Sequence, residues 1–234
     1  MTNIYIDIET APTNDEEVIK SIRDNITPPG NYKKQESIEK WLEDNLESET
    51  DLLVRKTALD GLYGQIISIA WAIDDGEVNC ITRKNYDYRE ENLLANFFSK
   101  INDIRDKHNQ RQVISTWVGH YITGFDLRFI WQRCVINKVK PLVHIPYSAK
   151  PWDSSVFDTK VEWSGLSNYS GSSSLDKLSR IMLGHGKGEI NGSNVFDYWK
   201  AGEIEKVAAY NKQDVEDCRK LYKLMNFIDD SYAT

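Results

Sequence analysis

The sequence predicts an α/β protein with a mixed central sheet flanked by helices. Near the N-terminus, Ile4, Ile6 and Ile8 alternate with Asp7 and Glu9, which is the period of a β-strand. Residues 65–73 form a nearly continuous apolar run, typical of a strand covered on both faces. A turn and a hairpin strand follow, and then helix and strand patterns alternate. This order favours one mixed sheet with helices packed around it.

The element boundaries follow from apolar spacing and from turn residues. The expected strands lie at 3–10, 65–73, 77–83, 112–118 and 155–159. The expected helices lie near 15–23, across 37–60 as one or two segments, at 90–107, after a cap at Thr123, after a cap at Ser173 or Ser174, and at 201–227. The acidic segment at about 11–61 is predicted to be a largely helical insertion. No change in composition defines a second domain, so residues 1–234 are predicted to form one.

Composition excludes several classes of protein. Of the 234 residues, 40% are hydrophobic and 28% are charged, as in an ordinary soluble protein. We find neither an apolar run long enough to span a membrane nor the N-terminal pattern of a secretory signal. The three cysteines are odd in number, far apart and without a C-x-x-C pair. These observations predict a protein of a reducing, cytoplasmic compartment, without a membrane partner.

The net charge of -7 bears on nucleic-acid binding. A protein that coats nucleic acid through its overall positive potential needs the opposite sign. An enzyme that handles one nucleic-acid end through bound cations does not, because the cations place positive charge where the phosphate must lie. The net charge therefore disfavours a protein that binds nucleic acid tightly and reads its sequence, and it is compatible with a metal-dependent enzyme.

Asp7 and Glu9 are the first candidate functional residues. Two residues apart on a strand, they share one face with Cα atoms roughly 6–7 Å apart. Their charges repel unless a cation or a proton lies between them, so the pair suits a divalent metal. An edge strand with a solvated acidic face is the alternative, and an isolated D-x-E does not decide between them.

Two further groups of residues carry acids. Asp126 follows a predicted strand and lies near the first turn of a helix, where an acid is also favoured by the helix dipole. Tyr210 and Asp214 are four residues apart on a predicted helix, so the phenol and the carboxylate share one face. An ordinary surface helix is the alternative for this pair.

Together the three groups give the order D-x-E, F-D and Y-x-x-x-D. This order resembles the DEDDy branch of the DnaQ-like 3′–5′ exonuclease superfamily, whose fold is related to RNase H. The chain is most similar to stand-alone exonucleases that resemble the exonuclease domain of family B DNA polymerases. The segments Ser174-Leu175-Asp176-Lys177-Leu178 and Ala208-Ala209-Tyr210-Asn211-Lys212-Gln213-Asp214-Val215 fit that family too, as does the run from Gly186 to Gly192. The resemblance covers 3–10 and nearly all of 64–226 and leaves out about 11–61.

The resemblance implies an RNase H-like mixed sheet and a metal-dependent 3′–5′ exonuclease. Its substrate is expected to be the 3′ end of DNA, single-stranded or frayed, and its products nucleoside 5′-monophosphates. By resemblance, Asp7, Glu9, Asp126 and Asp214 hold two Mg²⁺ or Mn²⁺ ions, and Tyr210 orients the attacking water. The implied partners, besides DNA, are replication or repair proteins.

Three residues are predicted to contact the substrate: Thr10, Phe125 and Lys187. Thr10 directly follows the acidic pair, Phe125 precedes Asp126, and Lys187 lies in the Gly-rich segment 184–188. That segment lacks the G-K-[S/T] ending of a P-loop and follows a helix, so it is predicted to be a helix C-cap with a loop near the substrate.

One position departs from the family pattern. Four residues before Phe125 the family often has Asn, and this chain has Tyr121. We expect altered substrate handling rather than loss of activity, because all four acids and Tyr210 are present. Two other functions stay open: an RNA-trimming exonuclease, and a non-catalytic nucleic-acid or replisome adaptor on the same fold.

Overall fold

A computed structural model describes residues 2–104, 110–111, 113–165, 173–186 and 188–228. Within these ranges one sheet contains five strands: β1 Thr2–Ala11, β2 Gln65–Ile73, β3 Asn79–Thr82, β4 Ile114–Gly119 and β5 Val156–Asp158. Their order in the sheet is β3-β2-β1-β4-β5. Strands β2 and β3 pair antiparallel, whereas β4 pairs parallel with both β1 and β5. The sheet is therefore mixed, as predicted.

Helices connect and cover these strands. They are α1 Glu16–Asp24, α2 Gln35–Lys56, α3 Glu90–Asn102, α4 Asp126–Ile136, α5 Thr159–Ser164, α6 Leu175–Leu178, α7 Val195–Lys200 and α8 Ile204–Met225. A short 3₁₀ turn at Thr57–Leu59 extends α2, and a π-helical turn at Ser179–Leu183 extends α6. No helix in the described ranges combines the length and the apolar composition that a membrane span needs.

The chain divides into two compact units, Thr10–Gln65 and the remainder, Met1–Glu9 with Ile66–Thr234. In the smaller unit Asp15 caps α1 by accepting hydrogen bonds from the backbone N–H groups of Glu17 and Val18. Arg23 of α1 pairs with Glu47 of α2. The single domain over 1–234, with an insertion at about 11–61, stays a prediction.

In the larger unit, β1 lies in the middle of the sheet and is covered on both faces. Ile4, Ile6 and Ile8 belong to one buried apolar cluster together with residues of α3 and α4. Tyr5 points to the other face, where it joins a cluster that includes Val215 of α8. The alternative of an edge strand with a solvated face is therefore wrong, because both faces of β1 are buried along most of its length.

Some of the element bounds and helix caps that the sequence predicts agree with the structure, and others do not. The bounds of β2 are those predicted, and Ser174 caps α6 as predicted. Thr123 does not cap α4. The helix begins at Asp126 with Phe125 at its N-cap, and the Thr123 hydroxyl donates to Asp158 at 2.6 Å instead. The short helices α5 and α7 were not predicted, since six residues are too few to show a helical period.

A buried ion pair joins three elements of the larger unit. Glu90, at the start of α3, accepts a hydrogen bond from the backbone N–H of Ile66 in β2 at 2.7 Å. Its carboxylate also faces Arg133 of α4 at 2.7 Å, and the side-chain amide of Asn137 donates to it at 2.8 Å. Both charged side chains are less than a tenth exposed. Removing one partner leaves the other as a buried, uncompensated charge.

The Glu90→Ala substitution is therefore expected to lower the free energy of unfolding by about 3–5 kcal/mol. The matched control is Glu91→Ala, on the same helical turn, whose partner Arg89 is mostly exposed. This control is expected to cost at most about 1 kcal/mol. Urea unfolding followed by circular dichroism measures both. Equal losses in the two variants would contradict the structural role of the buried pair.

Candidate active site

Three carboxylates from two elements meet beside the centre of the sheet. β1 supplies Asp7 and Glu9, and the middle of α8 supplies Asp214. One carboxylate oxygen of each residue lies within 4.8 Å of the corresponding oxygens of the other two. Glu9 and Asp214 are buried and Asp7 is half-buried. Residues more than 200 positions apart in the sequence thus form one cluster.

The chemistry of this donor set fits a hard divalent cation. Three carboxylates at this separation repel one another unless a cation or protons neutralise part of their charge. Oxygen-only ligands suit Mg²⁺ or Mn²⁺, whereas zinc sites normally include histidine or cysteine. The donor set supports a divalent metal site and does not distinguish Mg²⁺ from Mn²⁺.

Asp126 lies next to this cluster. It is the first residue of α4, and its carboxylate accepts a hydrogen bond from the backbone N–H of Ile8, the residue between Asp7 and Glu9, at 3.2 Å. Burial raises the pKa of Asp126 to about 7. The hydrogen bonds from its own N–H and from Ile8 oppose this rise, and the negative charges of Asp158 and Asp214 add to it. A cation at the cluster would favour the ionised carboxylate.

Tyr210 lies one helical turn before Asp214, and its hydroxyl hydrogen-bonds the Asp214 carboxylate. Burial raises the pKa of Tyr210 far above its ordinary value, and the charges of Glu9, Asp214 and Asp7 raise it further. The phenol is consequently protonated at neutral pH and cannot act as a general base by itself. It remains able to hold a water molecule through hydrogen bonds.

Asp158 holds the loop that leads into α4. This buried residue ends β5, and its carboxylate accepts hydrogen bonds from the backbone N–H groups of Tyr121 at 2.9 Å and Thr123 at 3.1 Å. It also caps α5 through the N–H groups of Lys160 and Val161. Asp158 therefore fixes the backbone just ahead of Asp126. The sequence did not reveal this role, because an acidic residue at the end of a strand does not by itself indicate which loop it holds.

Tyr121 occupies the position at which the family often has Asn. Its backbone has a φ of 65°, in the left-handed region that non-glycine residues seldom adopt. The Lys160 ammonium lies 4.2 Å from the centre of its ring. The ring also lies so close to Gly124 that a Cβ there would come within 2.4 Å of it. The phenol thus packs against its own loop, and its effect on substrate handling stays a prediction.

The three predicted substrate contacts have different surroundings. The Thr10 hydroxyl donates to the Ala58 carbonyl at 2.8 Å, within the smaller unit. Phe125 is half-buried, with its ring centre 5.1 Å from that of Phe129, and packs against the apolar cluster of the larger unit. Lys187 lies outside the described residues. A role in substrate binding stays a prediction for all three.

Asn211 is a residue of this site that sequence reasoning missed. It is fully buried, and its side-chain Nδ2 donates to Oδ2 of Asp7 at 2.6 Å. Its Oδ1 accepts a hydrogen bond from the Ser68 hydroxyl of β2 at 2.8 Å. Asn211 directly follows Tyr210, but adjacent residues of a helix point about 100° apart, so helical spacing does not connect the two. Only the packing of α8 on the sheet brings Asn211 to Asp7.

A cavity of about 580 Å³ opens beside Tyr210 and Asp214. One wall is α8, and the other comes from the loop after the π-helical turn, including His185 and Glu189. The Nε2 atom of His185 lies 3.4 Å from Oδ1 of the buried Asp217, which connects this loop to α8. The cavity gives the face of α8 that carries Tyr210 and Asp214 access to solvent.

Comparison with known proteins identifies the family to which this chain belongs. Residues 59–232 match a family described as a predicted 3′–5′ exonuclease related to the exonuclease domain of PolB. This match spans roughly three quarters of the sequence, so the chain belongs to that family. The match begins after Asp7 and Glu9, so these two acids are assigned from the sequence pattern and from their position beside Asp214.

A solved structure with a similar fold is the family B DNA polymerase from the hyperthermophilic archaeon Pyrobaculum calidifontis. It is 15% identical in sequence, with a TM-score of 0.56, over 97% of this chain. This chain spans only a quarter of the polymerase chain. The similarity shows a common fold with part of that polymerase. No protein with a curated description matches the chain.

Metal binding at the cluster is expected to raise thermal stability, because a ligand that binds only the folded state stabilises it. With Mn²⁺ at about one hundred times its Kd, the gain of roughly 2.7 kcal/mol corresponds to a rise in Tm of about 5–10 °C. Asp214→Asn is expected to remove most of this rise. The control Glu205→Gln replaces an exposed acid of the same helix and should keep it.

Differential scanning calorimetry with and without Mn²⁺ measures these shifts. A rise in Tm that Asp214→Asn leaves unchanged would place the bound metal elsewhere in the protein and contradict the assignment.

Proposed function

We propose that this protein is a metal-dependent 3′–5′ exonuclease that hydrolyses phosphodiester bonds at the 3′ end of DNA. Single-stranded or frayed ends are its preferred substrates, and nucleoside 5′-monophosphates are its products. The observation that carries this proposal is the convergence of Asp7 and Glu9 from β1 with Asp214 from α8. Membership of a family described as a predicted 3′–5′ exonuclease supports the direction of cleavage.

The proposed cofactors are two Mg²⁺ or Mn²⁺ ions held by Asp7, Glu9, Asp126 and Asp214. Bound there, they supply an acidified water and stabilise charge on the leaving 3′ oxygen. The chain itself contributes the rigid placement of the ligands. β1 is anchored in two apolar clusters, and Asp126 is fixed by the backbone of that same strand. This rigidity supports catalysis because the ligands need no reorganisation during the reaction.

The proposed role of Tyr210 is to orient the attacking water. Its hydroxyl is hydrogen-bonded to Asp214, and Tyr210 is one of the residues that line the cavity beside α8. A phenol has an ordinary pKa of about 10 and is protonated at neutral pH, so removal of the proton from water is not assigned to it. Orientation alone contributes by holding the nucleophile in line with the scissile bond.

Charge explains the proposed dependence on metal. With a net charge of -7 and a cluster of acids at the site, the protein by itself repels a polyanion. Two divalent cations bound there would neutralise the charge of the four carboxylates and would provide the positive centre that holds a phosphate at that point alone. This distribution supports transient action at one end of a strand over binding along its length. Replication or repair proteins are the partners that such an activity implies.

Two other functions remain candidates with less support. An RNA-trimming exonuclease would use the same carboxylates, and DNA is favoured because the family is related to the exonuclease domain of a DNA polymerase. A non-catalytic adaptor on the same fold is disfavoured because it has no need of the four acids. This chain keeps all of them together with Tyr210.

Digestion of matched oligonucleotides tests the activity, the polarity and the substrate. The wild-type protein with Mg²⁺ is expected to shorten 5′-labelled single-stranded DNA into a ladder and to release labelled mononucleotide at once from 3′-labelled DNA. Asp7→Asn and Asp214→Asn are each expected to lower the rate by more than about a hundredfold. Glu205→Gln should leave the rate unchanged, because this exposed acid of α8 is not among the residues of the cluster.

Faster digestion of the matched RNA would favour the trimming function. Release of mononucleotide from the 5′ end, or full activity in either Asn variant, would overturn the proposal.

Tyr210→Phe separates orientation of water from metal binding. It is expected to lower kcat about 10- to 100-fold, because the water loses its partner, while the stabilisation by Mn²⁺ stays. Single-turnover hydrolysis at saturating DNA and calorimetry with Mn²⁺ measure the two effects. An unchanged kcat, or a lost response to Mn²⁺, would contradict the proposed role of Tyr210.

A further inference from the structure

A chain of polar side chains crosses the sheet and ends at Asp7. The hydroxyls of Thr82 in β3 and Ser68 in β2 lie 2.9 Å apart. The Ser68 hydroxyl donates to Oδ1 of Asn211 in α8 at 2.8 Å, and Nδ2 of Asn211 donates to Oδ2 of Asp7 at 2.6 Å. Ser68 and Asn211 are fully buried. The chain thus connects four elements of the larger unit to one carboxylate.

The chemistry of the groups fixes the direction of this chain. An ionised Asp7 carboxylate only accepts hydrogen bonds, so Asn211 must present its NH₂ group to it. Its Oδ1 then faces Ser68, and the Ser68 hydroxyl donates its single proton in a hydrogen bond to that oxygen. The Ser68 oxygen is left to accept from Thr82, or from the Cys80 thiol 3.2 Å away. Every donor therefore points toward Asp7, and aligned hydrogen bonds strengthen one another.

Asp7 decides the orientation of the Asn211 amide, and Ser68 satisfies the oxygen that this orientation turns away from Asp7. A flipped amide would bring Oδ1 against the Asp7 carboxylate, placing two acceptors 2.6 Å apart without a proton between them. The Ser68 hydroxyl can donate or accept, and here its donated hydrogen bond holds the buried Oδ1 of Asn211 in place. The bond from Asn211 occupies Oδ2 of Asp7 and so limits rotation of a carboxylate that is only half-buried.

We infer that Asn211, held in place by the Ser68 hydroxyl, is a positioning residue that holds the Asp7 carboxylate ready for a divalent cation. The inference rests on the proposed function, since it assigns Asp7 to metal binding. Hydrogen-bond partners behind metal ligands orient those ligands, and their loss typically costs about 10- to 100-fold in metal affinity or activity. A buried Asn that only satisfied the interior would affect folding and leave metal affinity unchanged.

The test is a titration with Mn²⁺ alone, followed by calorimetry and by the electron paramagnetic resonance signal of free Mn²⁺. Asn211→Leu, which keeps the side-chain volume, is expected to raise the Kd for Mn²⁺ about 10- to 100-fold. Ser68→Ala is expected to raise it less, because Asn211 keeps its bond to Asp7 and loses only the hydrogen bond that holds its Oδ1. The control Ser179→Ala removes another buried hydroxyl, which donates to Asp217 at 2.8 Å, and should leave the Kd unchanged.

Kinetics provide a second measurement. At low Mn²⁺ the Asn211→Leu enzyme should hydrolyse single-stranded DNA slowly, and saturating Mn²⁺ should restore most of kcat with KM for the oligonucleotide unchanged. A variant that had only lost stability would show a lower Tm without metal but, at a temperature where it is fully folded, the same dependence of kcat on Mn²⁺ as the wild-type protein. If Asn211→Leu does not fold, the same Mn²⁺ titration of Ser68→Ala tests the inference.

An unchanged Kd for Mn²⁺ in both Asn211→Leu and Ser68→Ala would overturn the inference, as would an equal rise in Ser179→Ala. These results are distinguishable from failure of the proposed function. If the wild-type protein binds Mn²⁺ but does not shorten DNA, the exonuclease proposal fails and the positioning of Asp7 stands. If it shortens DNA and the variants bind Mn²⁺ normally, only the positioning role fails.

Discussion

The mutual repulsion of Asp7, Glu9 and Asp214 is the constraint on which the structure of the site depends. Three carboxylate oxygens within 4.8 Å of one another would separate on flexible elements. Here two of the acids are on β1, whose isoleucines pack in the apolar cluster on one face of the sheet while Tyr5 packs in the cluster on the other face. The third is on α8, whose neighbouring Val215 packs in the same cluster as Tyr5. Apolar burial thus holds the charges together until a cation binds.

The residues around the cluster follow from the same constraint. Asp126 can lie beside β1 because the backbone N–H of Ile8 donates to it, and the loop ahead of it is fixed by the buried Asp158. Burial raises the pKa of Asp126 to about 7, so the neighbourhood of the cluster carries less negative charge without metal than the number of carboxyl groups suggests. Asn211 offsets part of the charge of Asp7 by donating to it.

Local periodicity predicted which side chains share a face, and the resemblance to the exonuclease family then predicted that these side chains form one site. The alternation along β1 placed Asp7 and Glu9 on one face, and helical spacing paired Tyr210 with Asp214. Contacts between distant elements could not be predicted in this way. Nothing local indicates that Asn211 donates to Asp7, because the contact requires knowing which face of α8 packs on the sheet. The predicted cap at Thr123 was wrong for the same reason, since its hydroxyl is taken by Asp158, 35 residues later in the chain.

The most direct test of the account is to locate the metal. Crystals of the protein grown with Mn²⁺ and a short single-stranded DNA would give an anomalous difference map at the manganese absorption edge. We expect Mn²⁺ between the carboxylates of Asp7, Glu9 and Asp214, with the 3′-terminal phosphodiester of the DNA beside it and Asn211 still donating to Asp7. A map with manganese bound elsewhere, or with the DNA away from the three carboxylates, would contradict it.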